Sequence, residues 1–442
     1  MHTLSQLLSG QLSGSKKLSL SSNLTEFPTE IYTLADTLEI LDLSKNRLRQ
    51  LPADFGRLKN LKILFLSENE FTQFPSVLSE CHSLTMIGFK ANKIDSVLEN
   101  SFPPHLRWLI LTDNRIPSLP SSIGNCHALQ KVMLAGNKLT QLPKEMAACT
   151  RIELLRISAN QFYELPIWLL SLPRLSWLAF SGNPCSGPIQ LEKDLVEIAW
   201  EDLQILEQLG EGASGHIAKA LWKQGETHVA VKVFKGNVTS DGLPDDEMNT
   251  CLAAGNHPHL VKITGKIHRH PQQKKGLVLD LIPAHYRNLG GPPDFDSCTR
   301  DNYPAGTRFS MSQLLRISLG MAEVCRHLHA RGITHGDLYA HNILVDEEAH
   351  ALLGDFGAAT AYDRTDPNAA AIERLEVRAY GCLLEDLLNH LISESEKEEL
   401  ADQCRHLMQT CMQEQVLLRP NFASICTSLH ELVRAYNAMS SR

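Results

Sequence analysis

Five short stretches in the second half of the chain carry residues able to do chemistry. In "LGEGASGHIAKAL", at 209–221, Gly210, Gly212 and Gly215 have the spacing GxGxxG. Glycines let a backbone fold over phosphates and donate N–H groups to them. The same spacing also fits a dinucleotide fingerprint, so the loop alone leaves that choice open. "HVAVKVF", at 228–234, puts Lys232 on a strand, and "DDEMNTCLAAGNHPHLVKI" offers Glu247 from a helix. "HGDLYAHN", at 335–342, holds Asp337 and Asn342, and "LLGDFGAA" holds Asp355. Phosphoryl transfer needs charge neutralisation and alignment more than covalent help. A lysine, a carboxylate with an amide suited to a divalent cation, and one poised carboxylate are the residue types that supply both.

Several elements must position these groups. The glycine loop sits between two strand-like runs. "LVLDLIP", at 277–283, reads as a strand running into a linker, followed by a Pro- and Gly-rich insert to about 309. "SMSQLLRISLGMAEVCRHLHARG" reads as an amphipathic helix, with Leu314, Ile317, Met321, Val324 and Leu328 on one face. Ser310 is its N-cap and Gly332 its stop.

In this order and spacing the set resembles the eukaryotic-like protein kinase family over roughly 201–437, including "LLRPNFASI" near the end. The resemblance implies an α+β bilobal fold, with an N-lobe over 203–282 and a C-lobe over 283–442. It implies that Gly210, Glu211, Gly212, Ala213, Ser214 and Gly215, with Ile217 and Ala230, cover ATP. Lys232 would hold the α/β-phosphates and pair with Glu247. The backbone at Asp280 and Ile282 would hold the adenine. Asp337 would accept the proton of the attacking hydroxyl, and Asn342 and Asp355 would bind Mg²⁺. The implied activity is ATP- and Mg²⁺-dependent phosphorylation of protein serine or threonine. Its rivals are a nucleotide-binding pseudokinase scaffold and a small-molecule kinase.

The chain departs from the family pattern at several points. Gly336 replaces the arginine that pairs with a phosphorylated activation loop in many relatives, which predicts activity without such a phosphate. Tyr339 stands in the usual lysine position, and His341 in the arginine slot of the tyrosine-kinase "DLAARN". The segment after Asp355 is shorter than usual by about a dozen residues or more. Within and beyond it, Thr360, Tyr362 and Thr365 are candidate phosphorylation sites, Glu373 is the candidate partner of Arg419, and Glu376 takes the place of an aspartate that props the loop of Asp337.

The first half is a repeat. "LEILDLSKNRLRQLP", "LKILFLSENEFTQFP" and "LQKVMLAGNKLTQLP" share the pattern LxxLxLxxNxLxxLP. Its Asn recurs at Asn23, Asn46, Asn69, Asn92, Asn114, Asn137, Asn160 and Asn183, in steps of 23 residues with one of 22. The LxL alternation makes a short strand with its leucines in a continuous core, and the Asn can bond neighbouring loop backbone as a ladder. One unit cannot bury its own apolar face, so the units stack. This resembles the leucine-rich repeat family over roughly 15–185. The organisation expected is a cap at 1–14, an α/β solenoid of eight repeats at 15–188 and a linker at 189–202, in which "IQLEKDLVEIAWEDL" reads as helical. Cys81, Cys126 and Cys149 occupy one repeated slot and read as small apolar residues. Ile40, Ile63, Phe65, Met86, Trp108, Ile110, Met133, Leu154 and Trp177 fall at outward strand positions. They predict two apolar stripes, with a protein partner docking on Phe65, Trp108, Ile110, Met133 and Trp177.

Composition narrows the rest. A net charge of −8 over 442 residues, without a run of Lys or Arg, argues against a nucleic-acid surface. Eleven cysteines without a CxxC pair read as reduced thiols in a cytoplasm. No signal-peptide pattern opens the chain, and no apolar run is long enough for a membrane span. The fold class expected is thus two-domain: a repeat solenoid followed by a bilobal kinase fold.

Overall fold

The leucine alternation builds seven three-residue strands, Lys17–Ser19, Ile40–Asp42, Ile63–Phe65, Met86–Gly88, Trp108–Ile110, Lys131–Met133 and Leu154–Arg156. Each pairs in parallel with the next. The register aligns Leu18, Leu41, Leu64, Ile87, Leu109, Val132 and Leu155, all fully buried. Burying each such side chain contributes ~1.5–3 kcal/mol. The chain returns through short 3₁₀ turns, several of them opened by the proline that ends the repeat pattern, after Leu or Phe: Pro28, Pro75, Pro120 and Pro143. Described residues are 2–189, 196–212, 214–223, 226–236 and 238–440 of this computed structural model. Met1–Arg174 with Asn183–Cys185 forms one unit, and Leu175–Gly182 with Ser186–Arg442 the other.

The asparagine ladder is built as the pattern demands. Asn46 donates to the carbonyls of Leu20 and Leu43 and accepts from the amides of Ser22 and Leu24, all at 2.9–3.0 Å. The same bonds recur down to Asn160 and Asn183. To turn each Asn inward, the residue before it takes a left-handed conformation: Lys45, Glu68, Ala91, Asp113, Gly136 and Ala159. Asn23 departs from the series and lies exposed. The strand a ladder asparagine bonds back to, one repeat upstream, has no counterpart there, where the capped helix Leu4–Leu8 stands. Burial pushes the thiols of Cys81, Cys126 and Cys149 up to about 11, 12 and 11, as expected of inert core residues.

The two open apolar stripes need correction. Ile63, Met86, Met133 and Leu154 are buried, and Ile40, Phe65, Trp108 and Ile110 are half-buried. In-register strands lie only ~4.8 Å apart, so outward side chains cover one another. Phe65 lies over Gly88, where a Cβ would come within 2.8 Å of its ring. The Lys131 ammonium sits 4.2 Å over the Trp108 ring. Trp177 belongs to the second unit and is buried there.

The second unit holds a six-stranded sheet. Its order is Leu203–Glu211, Gly215–Trp222, Thr227–Phe234, Gly276–Asp280, Ile263–His268, Glu197–Ala199. Glu197–Ala199 lies where a helical link was expected. Period-2 alternation wins, sending Ile198 into the sheet core with Leu203, Val229, Val231 and Val278. Residues 190–195 of the expected linker lie outside the described residues. Helix Pro244–Ala254 opens with Pro at its first turn and packs Met248 and Leu252 on Phe234 and Leu277. The larger part holds helices Met311–Ala330, Ala369–Asn389, Glu398–Cys411 and Phe422–Ser440. Ser310 caps the first of these in a capping box with Gln313, and the five predicted face residues are buried.

Candidate functional site

Adjacent strands of the sheet put the glycine loop over a cleft. The turn from Leu203–Glu211 into Gly215–Trp222 carries the glycines, and the next strand carries Ala230 and Lys232. Gly215 packs so close to Val233 that a Cβ would sit 2.6 Å from its carbonyl oxygen, which explains a glycine there. Beneath lies a cavity of about 360 Å³. Gly212, Ser214, Gly215, Ile217, Ala230, Lys232, Glu247, Asp280, Ile282 and Asp355 line it. Gly210 and Glu211 stand beside this lining, with the Glu211 carboxylate 2.6 Å from Lys235. Ala213 lies outside the described residues.

Lys232 reaches from its strand to Glu247 on helix Pro244–Ala254, and the half-buried lysine pairs with the buried carboxylate. Burial opposes the lysine charge, but Glu247 and Asp355 outweigh it and hold Lys232 protonated. A charge held in this way is available for phosphate oxygens. The Asp280 amide is spent on the Lys262 carbonyl at 3.0 Å, at the point where its strand leaves the sheet beside the cleft.

The loop 335–342 brings Asp337 and Asn342 together. The Asn342 side-chain amide donates to Asp337 Oδ2 at 2.8 Å and to the Asp337 carbonyl at 3.0 Å. His335 Nε2 meets the Gly354 carbonyl at 2.9 Å, and its ring packs on Phe356. These contacts tie the loop to the turn where Asp355, at φ 51°, exposes its carboxylate. Glu376 props the loop as expected, accepting from the Gly336 amide at 2.7 Å and from His329 at 2.7 Å. Burial alone would raise its pKa; these donors bring it below the usual carboxylate value.

Sequence reasoning missed several residues. Leu209, Leu279 and Leu344 give the cavity apolar walls. Leu344 could have been found from alternation, since Ile343 and Val345 turn inward and leave it facing the other way. Asp301, from the Pro- and Gly-rich insert, accepts from the Ala340 amide at 2.5 Å and pairs with His341 Nδ1 at 2.6 Å. Burial pushes the His341 pKa down, but Asp301 first, then Asp337 and Asp355, hold it above the usual value. No sequence signal ties the two, which lie forty positions apart.

Downstream, three expectations are corrected. Strand Thr360–Ala361 runs through residues 362–368 directly into helix Ala369–Asn389. Glu373 therefore sits inside a helix and accepts the Tyr362 hydroxyl at 2.7 Å. Arg419 donates instead to the carbonyls of Gln413 and Arg374. As phosphorylation sites, Thr360 and Tyr362 fail because both are buried, while Thr365 is exposed with its hydroxyl on Asp363.

Comparison with known proteins agrees with this geometry. Residues 203–382 match the family described as protein tyrosine and serine/threonine kinase, and residues 36–94 match leucine rich repeat. A Dictyostelium discoideum protein named as a probable serine/threonine-protein kinase, gdt4, is 30% identical over 166 residues, covering 36% of this chain and 9% of that protein. The Arabidopsis thaliana LRR receptor-like serine/threonine-protein kinase GSO2 is 31% identical over 196 residues, covering 41% of this chain and 15% of its own length. The match thus spans a small fraction of these relatives. A solved leucine-rich-repeat protein of Leptospira interrogans is 29% identical, covering 39% of this chain and 50% of that one, with a TM-score of 0.33.

Proposed function

We propose that this chain, whose residues 203–382 match the protein kinase family and residues 36–94 the leucine-rich repeats, is an ATP- and Mg²⁺-dependent serine/threonine protein kinase whose repeats recruit a protein partner. The observation that carries this reading is the Asp337–Asn342 pair. Asn342 spends its amide hydrogens on Asp337, which leaves its Oδ1 as an acceptor. With the exposed Asp355 carboxylate, it forms the hard oxygen set that suits Mg²⁺. When bound, that ion supplies charge neutralisation at the phosphates.

The chain's own residues do the rest. The glycine loop and the leucine-walled cavity seat the nucleotide, with its adenine at Asp280 and Ile282. Lys232, kept charged by Glu247, neutralises phosphate oxygens. Asp337 Oδ2, fixed by the Asn342 amide, orients the substrate hydroxyl and takes its proton. The half-buried Phe65, Trp108 and Ile110 are the remaining candidates for a partner surface on the repeats. The setting proposed is cytoplasmic, where eleven free thiols stay reduced. Among the described residues no helix is long and apolar enough to cross a membrane.

The test is incubation of the purified chain with Mg²⁺ and γ-labelled ATP, beside Asp337→Asn. Label on protein serine or threonine that vanishes in the variant is the expected result. ATP binding without transfer would favour the scaffold. ATP consumption stimulated by a metabolite and not by protein would favour the small-molecule kinase.

A further inference from the structure

The loop that carries Asp337 is held by a piece of chain that lies 161 residues upstream, counted from Trp177 to Leu338. Leu175–Gly182 is part of the second unit, although "LSWLAFSG" is written in the repeat register. Trp177 is 2% exposed. Its indole stacks on the Tyr339 ring, with centroids 4.4 Å apart and planes 9° from parallel. Its Nε1 donates to the Leu338 carbonyl at 3.1 Å. Three residues on, the Phe180 amide donates to Thr360 Oγ1 at 3.1 Å. The Gly187 amide then bonds the Ala361 carbonyl at 2.8 Å. One stretch therefore grips both the residues after Asp337 and the strand after Asp355.

Two further observations show how complete the fit is. A Cβ on Gly336 would lie 2.7 Å from the Leu178 carbonyl oxygen and 2.6 Å from that of Ala358, at a φ of 69°. Leu178 and Phe180 also face Ile372 and Glu376, enclosing a space of only about 10 Å³. Meanwhile the local chain offers little cover. Residues 362–368 span at most ~25 Å fully extended, and they turn straight into a helix with Tyr362 committed to Glu373.

We propose that Leu175–Gly182 replaces the missing local segment as the support of the Asp337 loop, with Trp177 as its positioning residue. The inference rests on the kinase reading. Trp177 is not among the residues that line the cavity. It acts through the Leu338 peptide, which adjoins Asp337. Fixing that carbonyl fixes where the Asp337 carboxylate points, and a displacement near 1 Å in such a group can cost ~10²-fold in rate. Because the support is part of the chain, no phosphorylated residue is needed to order the loop.

The test compares full-length wild type with Trp177→Ala, Trp177→Phe and Thr360→Val. Steady-state phosphoryl transfer, nucleotide affinity by direct titration and thermal melting are read for each. The expected result is a kcat lowered about 10- to 100-fold in Trp177→Ala, with nucleotide Kd unchanged and Trp177→Phe closer to wild type because a ring still stacks on Tyr339. Thr360→Val, nearly the same size, lowers kcat less and also spares Kd. It carries the test if Trp177→Ala fails to fold. Wild-type kcat in both Trp177→Phe and Thr360→Val with kcat unchanged in Trp177→Ala would overturn the proposal. A higher kcat would also overturn it, since the segment would then be a blockade. Loss of kcat and nucleotide affinity together would reduce Trp177 to a packing residue. A wild-type chain that transfers no phosphate would instead sink the kinase reading, and this inference with it.

Discussion

Gly136 and Gly336 have the same backbone conformation, at φ 70° and 69°, and opposite reasons for it. Gly136 sits in a slot that recurs down the repeat, and Ala91 and Ala159 hold that slot at φ 55° and 53°. Glycine is there a convenience. Gly336 sits in no repeated slot, and two carbonyl oxygens occupy the space a Cβ would need. The difference extends to the regions around them. In the repeats one environment is reused, so each residue type is tested several times within a single chain. Around Asp337 every environment is built once, from segments far apart in sequence.

Four experiments press on this contrast. The largest effect is expected in the region without repetition. Lys232→Met should lower kcat/KM for ATP by ~10²–10³-fold, while melting stays cooperative; a change below tenfold would remove Lys232 from the site. Next comes the pair of glycines. Gly336→Ala should cost roughly 3 kcal/mol or more, from strain plus overpacking. Gly136→Ala should cost about 1 kcal/mol. Equal losses in denaturant unfolding would show that backbone conformation alone, and not the crowding at Gly336, sets the cost.

The ladder offers a contrast within the repeats. Asn114 bonds the Phe89 and Leu111 carbonyls and the Ile94 amide, at 2.9–3.0 Å. Asn114→Ala should destabilise the repeats by roughly 3 kcal/mol, because it leaves buried groups unpaired. Asn23→Ala, at the exposed first copy, should stay within ~0.5 kcal/mol. Chemical denaturation of both variants checks whether position in the stack or the motif itself governs the loss.

The smallest effect is a pH slope. His257 is pushed down to about 4 by burial first, then by His327, His259, Arg326 and Arg331. Its Nδ1 accepts from the His259 amide at 3.2 Å, as a neutral ring can. His327 and His350 are lowered in the same direction. A folded pKa below the unfolded one means that the unfolded chain takes up the proton first. Stability is therefore full above about pH 6.5 and falls as pH drops toward 4. Melting temperature followed over that range should fall less steeply in His257→Gln; an unchanged slope would assign it to other groups.

The sequence alone determined the repeat nearly completely. Leu18 to Leu155, the asparagines from Asn46 onward and the proline-led returns each express a local rule repeated until chance is excluded. The resemblance to protein kinases, carried by short motifs, also named Lys232, Glu247 and Asp355, which line one cavity, and Asp337 and Asn342, which pair within one loop. Tertiary structure decided what these residues face. That Asp301 meets His341, that Leu178 closes over Gly336, and that Trp177 is buried on Tyr339 and not on an open stripe all depend on segments forty to 160 positions apart. Nothing in the local pattern encodes such partners, because an outward strand position is apolar whether it awaits a visiting protein or is already covered by its own chain.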